Sequence, residues 1–74
     1  MQSFREELKS LLERYKDSGH NNIPGVPVEI NDHNIDRLTD FMMSEDKTDD
    51  VREKFMSGLN ILVQRAEKIK ESEK

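Results

Sequence analysis

The chain has 74 residues, 32% of them hydrophobic and 38% charged, with no tryptophan, no cysteine and a formal net charge of −4. That length allows one small domain with a thin core, and the missing cysteines exclude disulfides and thiolate metal sites as reinforcement. Burial roughly cancels chain entropy in this size class, so self-association or a partner protein is the expected support.

The first element is a helix over 3–17. Ser3 and Glu6 have capping-box spacing, and Phe4, Leu8, Leu11, Leu12 and Tyr15 gather on one face. Gly19 marks its stop, because glycine takes the left-handed conformation cheaply. Residues 20–31 are unlike the rest: Pro24 and Pro27 forbid a regular helix. Val26, Val28 and Ile30 alternate with Pro27 and Glu29 in a period of two. This segment is expected to be an extended strap, laid across the helices or paired with a strand of another chain.

A second helix is expected over 33–44, capped by Asp32 or Asn34, with Ile35, Leu38, Phe41 and Met42 facing inward. The third runs over 48–70 from a Thr48 cap, with Asp49 and Asp50 favoured by the macrodipole in its first turn. A frayed tail over 71–74 follows. At 1.5 Å per residue this helix spans roughly 33 Å, longer than the other two. Phe55, Leu59, Leu62, Ala66 and Ile69 recur at alternating steps of four and three, with Val51 extending the stripe and Met56 and Val63 on one flank. The third helix is therefore expected to be the spine of an all-α, three-helix domain. Part of its stripe is expected to protrude beyond the bundle.

Gly58 interrupts this helix beside the stripe. Glycine there costs up to about 1 kcal/mol relative to alanine, and the reading preferred is close approach of another backbone, with a kink at Ser57-Gly58 as the alternative. Ile61 and Met43 lie about 200° round from Leu59 and Phe41, outside the inward faces. With Val26, Val28, Ile30 and Gly58 they form the candidate interface.

Residues 29–53 carry nine acids against three bases, a local −6, whereas 54–74 carry three acids against five bases. Asp36, Asp40, Glu45, Asp46, Asp49, Asp50 and Glu53 make up a candidate acidic surface. It argues against direct nucleic-acid binding and suits a basic partner or a neighbouring copy's basic tail. No apolar run approaches the roughly 18 residues that span a membrane, and no signal or lipidation motif opens the chain. A cytoplasmic protein, encoded by a complete small open reading frame, is the expectation.

Catalytic and metal patterns find no support. Asp32, Asn34 and Asp36 imitate the opening of an EF-hand loop, but Arg37 and Met43 occupy its glycine and bidentate-glutamate places. Asp46, Thr48 and Asp50 fail likewise, and both sets read as helix caps. His20 and His33 have no zinc spacing and read as solvated loop residues. Ser10, Ser44 and Ser57 lie outside any nucleophile motif, and the three glycines are too scattered to cradle phosphate. No cofactor or metal is expected, and catalysis is not. The expected function is a small non-catalytic interaction module, homodimeric and acting on a partner protein. An acidic inhibitor or nucleic-acid mimic directed at a basic factor is the alternative, and an assembly or structural subunit the third class.

Overall fold

The computed structural model describes residues 3–72, and three helices account for its regular structure: α1 (Phe4–Asp17), α2 (Asp32–Met42) and α3 (Asp49–Ser72). The chain is all-α, as its helical periodicities require. The Ser3 hydroxyl accepts from the Glu6 amide at 3.2 Å to open α1, and Gly19, at φ +101°, follows its end. Thr48 caps α3 by accepting from the Val51 amide at 3.3 Å.

Several boundaries differ from the sequence reading. The α2 cap is Asn31, whose carboxamide oxygen accepts from Asn34 at 2.8 Å, so Asp32 is already helical. The helix ends at Met42, not Ser44, since Met43 takes the C-cap place. At the other end of the chain, Glu71 and Ser72 continue α3 where fraying was expected, and residues 73–74 of that tail lie outside the described residues. No break occurs at Gly58.

The helix at the centre is α1, not α3. Helices α2 and α3 both pack along α1, while their own backbones barely approach each other. Surface pairs give the directions. Arg5 bonds Asp36 and Lys9 lies 3.3 Å from Asp32, so α2 runs antiparallel to α1. Arg14 meets Glu67 near the far end, and Lys70 donates to the Asp17 carbonyl, so α3 runs parallel to α1. The core joins Leu8 and Leu12 of α1, Ile35 of α2, Leu59 and Val63 of α3, and Ile23 and Ile30 from the connecting segment. Met42 and Ala66 are buried too.

The segment between α1 and α2 folds back on itself. The Val26 amide donates to the Ile23 carbonyl at 3.1 Å, Pro24 precedes Gly25, and Gly25 stands at φ +78°. Proline followed by a positive-φ glycine is the type II turn pattern. Ile23 donates to Val28 at 2.9 Å and Ile30 to Asn21 at 2.8 Å, which leaves an isolated antiparallel bridge between Asn22 and Glu29. The amides of Ile23, Val26, Val28 and Ile30 are thus engaged within the segment, and a strand from another chain would find none of them free. His20 stacks on Tyr15, centroids 4.3 Å apart, and ties the segment's start to α1.

Candidate functional site

The sequence places apolar residues on α3 through a wide arc, and packing uses only part of it. The buried line is Leu59, Val63 and Ala66, with Phe55 and Met56 half-buried beside it. Val63, expected on a flank, is fully buried. Val51, Leu62 and Ile69, expected to be inward, are 42%, 36% and 60% exposed. The cause is geometric: a single neighbour, α1, covers one side of α3 and the 23–30 segment covers a second, leaving the remaining arc open. Positions 51, 58, 62, 65 and 69 therefore form an exposed stripe, with Phe55 half-buried within it.

Gly58 lies in that stripe, and the close backbone approach expected for it is absent: a Cβ built there meets no atom within 4 Å. It does line a shallow hollow of about 250 Å³ with Pro24, Lys54, Phe55, Leu59 and Leu62. Ile61, 55% exposed, borders the stripe on its outer side. Ile30, expected at the interface, is core instead, because its amide bond to Asn21 turns the side chain among Leu8, Leu12 and Ile35. Val26 is exposed and Val28 half-buried; both line a separate groove with Ile23, Asn34, Arg37 and Leu38. Met43 is exposed past the end of α2 and lines a hollow with Phe4, Glu7, Arg52 and Met56. Phe41, expected to be inward, is exposed as well, its ring covered by the Lys47 ammonium at 4.4 Å. The candidate interface is thus not one patch but three: the α3 stripe with Ile61, the Val26–Val28 groove, and Met43.

All seven residues of the candidate acidic surface are exposed, yet three are already engaged. Asp36 pairs with Arg5 and Asp49 with Arg52. Asp46 accepts from Ser44 at 2.6 Å and from Lys47 at 3.1 Å, and these bonds hold its carboxyl below the ordinary aspartate range. Asp40, Glu45, Asp50 and Glu53 carry the rest of the negative field at this pole. At the other pole, hydrogen bonding from Arg14 lowers the Glu67 carboxyl below its usual range.

One structural residue escaped sequence reasoning. Arg52 sends a guanidinium nitrogen to the carbonyls of Met42 at 3.1 Å and Lys47 at 3.0 Å. It thereby caps the carbonyl end of α2 and locks the 43–48 turn onto α3. Its signal was faint, a basic residue in the acidic first turn of α3. Among the described residues no group of three His, Cys, Asp or Glu side chains is placed to hold a metal ion, and no helix is long and apolar enough to cross a membrane. No protein-family model matches the chain, and neither a curated protein nor a solved structure matches it.

Proposed function

We propose that this chain is a small non-catalytic interaction module that acts by binding another protein through apolar surface its own fold leaves open. The observation that carries this is the uncovered stripe of α3, where Val51, Leu62 and Ile69 stay exposed along most of a 24-residue helix. Scattered single hydrophobes need no explanation, but aligned ones on a rigid helix form the face that a partner helix or groove recognises. Site-specific photo-crosslinking in the native cell tests the reading. A photoreactive side chain at Ile61 or Ile69 should give discrete protein adducts, whereas one at exposed Gln64, off the stripe, should not. Equal yields from all three positions, or none, would remove the proposal.

A further inference from the structure

We infer that the groove between the 23–28 turn and α2 is a second binding site, which takes the carboxyl end of a partner polypeptide whose last residue is aliphatic. It lies apart from the α3 stripe and goes beyond the reading above. Ile23, Val26, Val28 and Leu38 line it together with Asn34 and Arg37, and its volume is about 260 Å³. Its walls are preformed. The Ile23 amide donates to the Val28 carbonyl, Val26 to Ile23 and Val28 to Val26. The Asn34 carboxamide donates to the Glu29 carbonyl at 2.8 Å, which ties this segment to the first turn of α2. Little conformational freedom is left to lose on binding.

Charge selects the occupant. Residues 29–53 hold nine acids and three bases. Of those bases, Lys47 pairs with Asp46, and Arg52 pairs with Asp49 and donates to two carbonyls. Arg37 is the third, exposed at the rim of the groove, and among the described residues its guanidinium has no ion pair. The acids beside it in sequence face elsewhere. At 100° per residue, Asp36 and Asp40 each stand about 160° round α2 from Leu38, and Asp36 is held by Arg5 of α1. An unpaired guanidinium beside an apolar hollow suits a carboxylate next to an aliphatic group, because its parallel N–H donors match the two carboxylate oxygens.

Size decides which carboxylate. The hollow falls just below the range of about 300–1,000 Å³ that holds a drug-sized ligand, so it houses one branched side chain rather than a long acyl tail. Within a polypeptide, only the carboxyl end carries a carboxylate and a side chain on the same carbon atom. The residue before it then lies against exposed Val26 or against Phe41, which is one helical turn beyond Leu38 and 57% exposed. A free short acid has no such second contact.

Nuclear magnetic resonance titration of the isotope-labelled full chain tests this, with short synthetic peptides ending in leucine, isoleucine or valine as probes. The free-acid peptides should shift the amide resonances of 23–28 and 34–41 saturably, with a dissociation constant of about 1 mM or below. Amidating the peptide end should weaken binding about tenfold or more, and so should Arg37→Gln or Val26→Asp in the chain. Both substituted side chains are exposed, so far-ultraviolet circular dichroism should stay unchanged. Ile61→Asp, on the α3 stripe, should leave the titration as it was. No saturable shift from any free-acid peptide up to about 10 mM, or equal binding of the amidated ones, overturns the site. Loss of the shifts in Ile61→Asp overturns the choice of groove. Hexanoate binding as tightly as the peptides overturns the chain end as occupant. The α3 reading is decided by the photo-crosslinks alone, so the two fail separately.

Discussion

Replacing Gly58 with alanine should stabilise the folded chain. Gly58 lies inside α3 without positive φ, and an added Cβ meets open space. The substitution therefore removes backbone freedom from the unfolded chain at no steric cost, a gain of about 1 kcal/mol. For a domain of this size that raises the thermal midpoint by about 6 °C. Gly25 supplies the control. A Cβ there also meets nothing within 4 Å, but φ is +78°, so Gly25→Ala should lose about 1–2 kcal/mol. Thermal and urea unfolding followed by circular dichroism, at concentrations low enough to keep the chain monomeric, measures both. An unchanged or lower midpoint for Gly58→Ala, or the same sign for both variants, would refute the reasoning that backbone conformation, not space, sets the outcome.

Arg52→Met keeps much of the aliphatic stem but strips the Met42 and Lys47 carbonyls of their donor, and should cost about 2 kcal/mol in urea titration; an unshifted midpoint would show that water replaces the guanidinium freely. Leu12→Ala, at a fully buried position, should cost about 3 kcal/mol, whereas Ile61→Ala should stay within about 0.5 kcal/mol in the monomer; comparable losses would contradict the division between core and open surface. Glu67 has a depressed folded-state pKa caused chiefly by its bond from Arg14, so its contribution is present above the unfolded glutamate value and is lost as pH falls through the folded one. The stability gap between the natural chain and Glu67→Gln should accordingly close on acidification. It should also be small and shrink with salt, because both partners are substantially exposed; a gap that widens in acid would invert the assignment.

Much of the fold was legible because helix periodicity and caps are local signals. Ser3 and Thr48 mark their helix starts through side chains that reach only three residues ahead. Asn31 was missed in favour of Asp32 or Asn34 because three of the four residues 31–34 could all cap, and the choice depends on where the preceding segment delivers the backbone. Pro24-Gly25 spells a turn, but the alternation of Val26, Val28 and Ile30 resembles a strand equally well. The competing pattern yields here because Ile23 and Ile30 can both reach the core only if the segment doubles back. The apolar positions of α3 were equally plain, yet their roles were not.

By itself, the sequence determined that this chain forms three amphipathic helices and that the last is longer and carries more apolar surface than a small bundle absorbs. Periodicity settles that much, since side chains three and four apart share a face whatever surrounds them. Only the tertiary structure decided which residues of that arc are core. Two neighbours cover two sides of α3, so Val63 is sealed while Val51, Leu62 and Ile69 stay open, and Gly58 stands over an empty hollow. An arc of hydrophobes names the candidates for burial, but burial itself depends on where the other elements sit.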